Sequence, residues 1–339
     1  MQLKKNSKYF IVTFGCQANK ADSEKISGYY ISKGFRQAKK KEDADLIILN
    51  TCSVRKSAED RVVGQVLNLS KLRTKNKKLK IILTGCMMRY SKKFLKELLP
   101  DVDEFIKLKD LIHNSKFIIH NSKVHAWVQI MEGCNNFCTY CVVPYARGRE
   151  VSRPRDEIIK EVKDLVQNSY KNITLLGQNV NSYEYNFAKL LICLNRINGL
   201  EKISFMTSNP QDLTDEIIQA MKLPKIDRYL HLAVQSGDDE ILRKMNRRYT
   251  SKQFLDLVKK IRNEIPEIEI GTDIIVGFPT ETQKQFENTV KLCKQAKFCL
   301  AFVSKYSPRP GTPAYKLRDD VQVLEKKRRW KVLNELINK

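Results

Sequence analysis

Leu46-Ile-Ile-Leu-Asn-Thr-Cys52 is a run of four aliphatic residues that leads directly into a polar pair and a cysteine. A run this short, apolar at every position, reads as a strand buried on both faces. Helical spacing follows from Arg55 to Leu72. The same unit recurs on either side. Tyr9–Thr13 leads to Gly15-Cys16, then to helical spacing from Asp22 to Lys33 that ends near Gly34. Ile81–Leu83 leads to Thr84-Gly-Cys86. Short buried strands alternating with helices imply an α/β fold with a doubly wound parallel sheet. In an open parallel sheet all carboxyl ends lie along one edge, and ligands bind there. Cys16, Cys52 and Cys86 are therefore expected to meet in space as metal ligands. The alternative is three buried thiols acting as small hydrophobes.

After a polar stretch near residues 112–123 a second pattern begins, with the boundary between two domains set at 118/119. Strand-like runs recur at Val124–Ile130, Ile173–Leu176, Ile203–Phe205, Tyr229–Leu232, Ile268–Ile275 and Leu300–Val303. Helical segments separate them, including Asp156–Asn168, Thr214–Met221, Phe254–Arg262 and Gln283–Gln295. Six β/α units imply an incomplete (β/α)6 barrel, whose active site belongs in the loops after the strands. The first of those loops, Met131-Glu-Gly-Cys-Asn-Asn-Phe-Cys-Thr-Tyr-Cys-Val-Val-Pro-Tyr145, carries three cysteines spaced CxxxCxxC: Cys134, Cys138 and Cys141. Thiolates are natural ligands of iron–sulfur clusters. Three of them leave one iron of a four-iron cube open for chemistry. A last basic helix is expected from about Val321 to Asn338, with Lys326-Lys-Arg-Arg329 inside it.

Composition narrows the function classes. The 339 residues carry 62 Lys and Arg against 38 Asp and Glu, a net charge of +24. That balance predicts a polyanionic partner, most simply nucleic acid; the alternative is Lys inflated by AT-rich codons. Basic clusters recur at Lys39-Lys-Lys41, Lys71 to Lys80, Lys92-Lys93 and Lys326 to Arg329, and such groups give affinity for phosphate without sequence readout. Nine cysteines and no secretory signal argue against a disulfide framework. No run approaches the ~18 apolar residues of a membrane span. The expectation is a reduced, cytoplasmic protein that uses no membrane.

With both cysteine sets placed, the sequence resembles the radical S-adenosylmethionine (SAM) methylthiotransferases. It looks most like the branch that methylthiolates isopentenyladenosine in tRNA. The matching segments are Thr13-Phe-Gly-Cys-Gln-Ala-Asn19, Asn50-Thr-Cys-Ser-Val-Arg55, Thr84-Gly-Cys86, the CxxxCxxC loop, Pro144-Tyr-Ala-Arg-Gly-Arg-Glu150 and Ser152-Arg-Pro154. Further on come Gly177-Gln-Asn-Val-Asn181, Gln235-Ser-Gly237, Asp273-Ile-Ile-Val-Gly-Phe-Pro279 and Tyr306-Ser-Pro-Arg-Pro-Gly-Thr-Pro313. The branch rests mainly on Gly177-Gln-Asn-Val-Asn-Ser-Tyr183. Relatives acting on a ribosomal-protein aspartate or on threonylcarbamoyladenosine usually differ there.

The resemblance implies an N-terminal methylthiotransferase domain, 1–118, and a radical SAM core, 119–339. It implies two 4Fe–4S clusters. Cys134, Cys138 and Cys141 would hold one, whose open iron chelates SAM; one electron then releases a 5′-deoxyadenosyl radical. Cys16, Cys52 and Cys86 would hold the second, which carries the sulfur to be transferred. The expected partners are a tRNA anticodon stem-loop and a reductant such as flavodoxin or ferredoxin, and the expected state is a monomer. The target base must leave its stack to react. A non-catalytic iron–sulfur RNA-binding protein and a zinc protein are the alternatives. Family chains normally end in a small RNA-gripping β-barrel, and the expectation is that this chain, stopping at Lys339, lacks it.

Other residues are expected at the cofactors. Tyr140 resembles the family position whose ring lies against the adenine of SAM; otherwise it packs the loop. Arg147 and Arg149 are placed to steer the SAM carboxylate or a tRNA phosphate, or to form surface salt bridges. Gln178, Asn179, Gln235 and Ser236 follow strand ends and would touch SAM or the nucleotide, or bond their own loops. Asp273 lies within a strand, aimed into the barrel or held as a hydrogen-bonded core acid. His113, His120, His125 and His231 show no metal spacing. Cys193, Cys293 and Cys299 read as core thiols.

Overall fold

The computed structural model describes residues 6–74, 76–112, 122 and 124–339. The chain forms two compact units, residues 1–122 with 145–147, and residues 123–144 with 148–339. The boundary expected at 118/119, together with His113, His120 and Lys75, lies outside the described residues.

The first unit is built on strands β1 (Lys8–Thr13), β2 (Arg36–Gln37), β3 (Leu46–Thr51), β4 (Lys80–Gly85) and β5 (Glu104–Phe105). They pair in the order β2-β1-β3-β4-β5, every pair parallel. Helices α1 (Gln17–Ser32), α2 (Lys56–Arg73) and α3 (Lys92–Leu98) connect them, and α4 (Leu108–Leu111) follows β5. All six residues of β3 are buried. Ile47 and Leu49 pack with Val62, Val66 and Leu69 of α2, while Leu46 and Ile48 pack on the other face with Ile26 and Tyr30 of α1. This two-faced burial is why β3 reads as an unbroken aliphatic run. The order 2-1-3-4-5 reverses between β1 and β3, the point where a doubly wound sheet binds its ligand.

Helix α1 begins at Gln17 rather than near Asp22. Its buried residues include Asn19, Asp22, Ser23, Glu24 and Ser27, so apolar periodicity underestimates its length. The two edge strands β2 and β5 have no counterpart in the sequence pattern; each has only two residues, three of those four side chains being exposed.

The second unit carries β6 (His125–Gln129), a two-stranded antiparallel ribbon of β7 (Met131–Glu132) and β8 (Val151–Ser152), and then β9 (Asn172–Leu176), β10 (Lys202–Phe205), β11 (Tyr229–His231), β12 (Glu269–Val276) and β13 (Leu300–Lys305). Helices α6 (Arg155–Gln167), α7 (Phe187–Asn195), α8 (Asp215–Met221), α9 (Asp239–Lys244), α10 (Ser251–Glu264), α11 (Gln283–Ala296) and α12 (Val323–Ile337) accompany them, while α5 (Val143–Arg147) has its last three residues in the first unit. Strands β6, β9 and β10 form one parallel sheet and β11, β12 and β13 another. Isolated parallel bridges Ile203↔Ile226 and Ser208↔Leu232 carry the pairing from one sheet toward the other. Six parallel strands in sequence order are the expected incomplete barrel. Alternate residues, among them Ala126, Val128, Ile173, Leu175, Ile203, Phe205, Leu230, Ile270 and Ile274, pack against the helices. Capping boxes from Thr250 with Gln253 and from Thr282 with Gln285 start α10 and α11.

Two of the four cations in the basic run of α12 do not face phosphate as expected. Lys326 and Arg329 are each 4% exposed. Lys326 pairs with Asp319, and Arg329 pairs with Glu281 and Glu325, all at hydrogen-bonding distance. Arg328 also bonds Glu325. Arg329 turns inward because Glu281 is buried and needs a counter-charge. Lys39, Lys40, Lys92 and Lys93 remain exposed. Arg329→Ala should lower stability by about 3–5 kcal/mol by stranding Glu281, whereas exposed Lys327→Ala should stay within about 0.5 kcal/mol of wild type. Urea unfolding of the two variants measures the contrast, and equal midpoints would refute it.

Candidate metal centres

In the first unit three thiols stand at three neighbouring strand ends. Cys16 follows β1 and caps α1, Cys52 follows β3, and Cys86 follows β4. Cys52 and Cys86 are buried and Cys16 is exposed; none is in a disulfide. Glycine makes the approach feasible. Gly15 has φ +111°, and a Cβ there would lie 2.6 Å from the Cβ of Cys52. Gly85 has φ +88°, and its Cβ would lie 2.5 Å from the carbonyl oxygen of Thr51. Only glycine adopts these conformations freely.

Side-chain hydrogen bonds lock the loops together. Asn50 donates through Nδ2 to the Asn19 carbonyl at 2.8 Å and to Ser23 Oγ at 2.9 Å. Asn19 donates to the Thr51 carbonyl at 2.8 Å. Thr51 Oγ1 donates to the Thr84 carbonyl at 2.6 Å and accepts from the Met87 N–H at 3.1 Å. Arg147, expected to steer a carboxylate or phosphate, instead directs its guanidinium at Asp22 (2.7 Å) and Asn19 (3.3 Å). Its side chain is 7% exposed and that of Asp22 2%. Burial pushes the Cys86 thiol up to about 11 and raises that of Cys52, and in both the Arg147 charge pulls back.

In the second unit the CxxxCxxC loop runs from β7 to α5. Gly133 has φ +81°, and a Cβ there would lie 2.1 Å from the Arg149 carbonyl oxygen. Cys134 donates its N–H to the Gly148 carbonyl at 3.2 Å, and Cys141 donates to that of Cys138 at 2.9 Å. The Cys141 Sγ accepts from the Val143 N–H at 3.5 Å. Burial pushes the Cys141 thiol up to about 12, with Cys138 adding to the shift, and raises that of Cys134. Tyr140 is half-buried against Ile241, Met245, Phe278, Tyr306 and Ala314. Burial, then the neighbouring Cys138, holds its phenol well above the usual range.

Among the described residues no three Cys, His, Asp or Glu side chains close to the spacing of a single metal ion. Two sets of three free thiols, each on glycine-shaped loops, fit a multi-metal cluster with one ligand per metal corner better than one zinc ion.

The softer expectations resolve into particular bonds. Gln178 accepts from the Gly133 N–H at 2.5 Å and so braces the cysteine loop. Asn179 is buried; its amide donates to Asp212 at 2.7 Å and accepts from the Asn209 N–H at 3.1 Å. Gln235 sits at φ +69° and exchanges backbone bonds with β12. Ser236 is fully buried, its Oγ accepting from the Asp238 N–H at 3.2 Å. Arg149 is exposed and stacks 4.2 Å over the Phe137 ring. Asp273 bonds His231 Nε2 at 2.9 Å, and Tyr229 bonds His231 Nδ1 at 3.1 Å. Cys293 is buried as expected and Cys193 half-buried. Cys299 is exposed and is no core thiol: Phe298 takes the inward position beside it. Sequence reasoning missed Arg247, which donates to Cys138 Sγ at 3.5 Å. Lys244-Met-Asn-Arg-Arg-Tyr249 carries no spacing that marks it.

Comparison with known proteins now supplies the lineage. The chain matches the Radical SAM superfamily over residues 128–293 and the Uncharacterized protein family UPF0004 over residues 8–107. It is 45% identical to the tRNA-2-methylthio-N(6)-dimethylallyladenosine synthase of Clostridium novyi (strain NT), over 98% of this chain and 81% of that protein. It is 46% identical to the synthase of the same name from Clostridium botulinum (strain Alaska E43 / Type E3), over 92% and 76%. The chain belongs to the radical SAM methylthiotransferase family. Methylthiotransferases of this family work with SAM and 4Fe–4S clusters. A solved structure of the radical SAM methyltransferase TsrM from Kitasatospora setae shares the fold with TM-score 0.66 at 13% identity, over 91% of this chain and 74% of that one.

The raised thiols make a prediction about the metal-free methylthiotransferase. A thiol with an elevated pKa keeps its proton, so its reactive thiolate accumulates only as pH climbs toward the shifted value. Iodoacetamide should label exposed Cys16 first. Labelling of Cys86 and Cys141 should keep accelerating beyond about pH 9, where an ordinary thiol is largely ionised. Peptide mass spectrometry follows each site, and a plateau near pH 9 for both would refute the expectation.

Proposed function

We propose that this methylthiotransferase transfers a methylthio group to C2 of N6-isopentenyladenosine at position 37 of tRNA. One observation carries the reading: a single chain holds two separate three-thiol sites. The CxxxCxxC set accounts for SAM cleavage, which leaves the second set of thiols for the sulfur to be transferred. The relatives' names supply the substrate class. The excess of basic residues and the exposed Lys39-Lys40 and Lys92-Lys93 pairs suit an RNA partner.

In this reading residues 1–118 hold the auxiliary cluster through Cys16, Cys52 and Cys86. Residues 119–339 hold the SAM-cleaving cluster through Cys134, Cys138 and Cys141. When bound, the clusters supply the electron that cleaves SAM and the sulfur that is transferred. The chain's own residues orient and shield. Gly15, Gly85 and Gly133 let backbone approach each site, Asn19, Asn50 and Thr51 hold the auxiliary loops, and Arg147 offsets the negative charge of three thiolates. Tyr140 closes the apolar side of the CxxxCxxC loop and is assigned to the adenine of SAM, and Asp273, oriented by His231, offers an acceptor inside the barrel. Gln178 and Asn179, and likewise Gln235 and Ser236, shape the loops around that space. Among the described residues no helix is long and apolar enough to cross a membrane. We assign the enzyme to the cytoplasm as a monomer, with flavodoxin or ferredoxin as reductant.

Anaerobic incubation with SAM, a strong reductant and an isopentenylated anticodon stem-loop should yield the methylthio nucleoside by mass spectrometry. No product from protein that carries about eight irons would overturn the reading, and a methylthio group found on a ribosomal protein instead would redirect it. Cys138→Ala should abolish both SAM cleavage and product. Cys52→Ala should leave SAM cleavage near wild type and remove the product. Equal loss of SAM cleavage in both variants would contradict two separate sites.

A further inference from the structure

The turn that ends α9 is fastened to the CxxxCxxC loop along its length. Thr139 donates its N–H to the Met245 carbonyl at 3.1 Å and its Oγ1 hydroxyl to the Lys244 carbonyl at 2.8 Å. Asn246, in left-handed conformation at φ +58°, donates through Nδ2 to the carbonyls of Asn136 and Phe137, both at 3.2 Å. Arg247 completes the strap with a different kind of contact. Its Nε donates to Tyr249 Oη at 2.8 Å and its Nη2 to the Ala233 carbonyl at 2.8 Å. Its Nη1 donates to Cys138 Sγ at 3.5 Å. Two arms of the guanidinium are thus anchored on protein oxygen and the third is aimed at a sulfur. Tyr249 is itself fixed, donating to the Val234 carbonyl at 2.9 Å.

We propose that Arg247 is a positioning residue that sets the reduction potential of the cluster held by Cys134, Cys138 and Cys141. The inference rests on the assignment of a cluster to those three cysteines. Hydrogen bonds to the ligating sulfurs tune the potential of an iron–sulfur centre. Reduction adds one electron, taken from an external donor, and so one negative charge to the cluster and its thiolates. A permanent cation within hydrogen-bonding distance stabilises the reduced form more than the oxidised form. Arginine suits the task because it stays protonated and its planar fork is held by its other two bonds. Loss of the charge makes the cluster harder to reduce, and SAM cleavage slows without loss of SAM binding.

The test uses the full-length chain with Cys16, Cys52 and Cys86 changed to Ala, so that one cluster titrates. Arg247→Gln and Arg247→Lys are made in that background, and the midpoint is read by EPR-monitored redox titration. Arg247→Gln should disfavour reduction at least tenfold, a fall of about 59 mV for one electron. Arg247→Lys, which keeps the charge but lacks the fork, should fall by less. A merely structural arginine would lower thermal stability in both variants and leave the potential alone, which would overturn the proposal. If Arg247→Gln fails to take up about four irons, Arg247→Met, which keeps the bulk without the charge, decides: a midpoint equal to the parent's rejects the proposal, and a lowered one supports it. A parent that takes up no iron refutes the cluster assignment itself, an outcome distinct from an unchanged midpoint.

Discussion

Parallel strand pairing is the constraint from which the rest follows. In a parallel sheet every carboxyl end lies on the same edge, so residues far apart in sequence arrive at one place without any contact of their own. Leu49 pairs with Val12 and Leu83 in the register that aligns β1, β3 and β4. The cysteines that follow these strands are brought together by backbone hydrogen bonds two or three residues upstream. The second unit uses the same constraint with an arc of strands, and its first strand-end loop carries the other thiols.

The elements legible in the sequence are those whose burial is simple. The strands of both units announce themselves because β3, β4 and β12 bury aliphatic side chains on one or both faces. Helices α10 and α11 show as amphipathic runs. Helix α1 reads short because the residues it buries are polar and serve Asn50 and Arg147 rather than an oily core. The residue pairs of β2 and β5 are too short to carry any period.

The candidate sites divide along the same line. Cys134, Cys138 and Cys141 stand out because thiol spacing is a local signal, and Cys16, Cys52 and Cys86 because each follows a strand end. The residues that act on the thiols do not. Arg147 reads as one more cation in a basic chain until Asp22 is seen beside it, and Arg247 lies more than a hundred positions from Cys138. Lys326 and Arg329 mislead for the converse reason. Composition counts charges but does not say which face of a helix they occupy, and buried Glu281 draws Arg329 inward.

The bonds among Asn19, Asn50, Thr51 and Thr84 tie the start of α1 to the ends of β3 and β4. The loops that carry Cys16, Cys52 and Cys86 are therefore one hydrogen-bonded unit rather than three independent loops. A change at Asn50 alone thus disturbs the settings of Cys16 and Cys52 together.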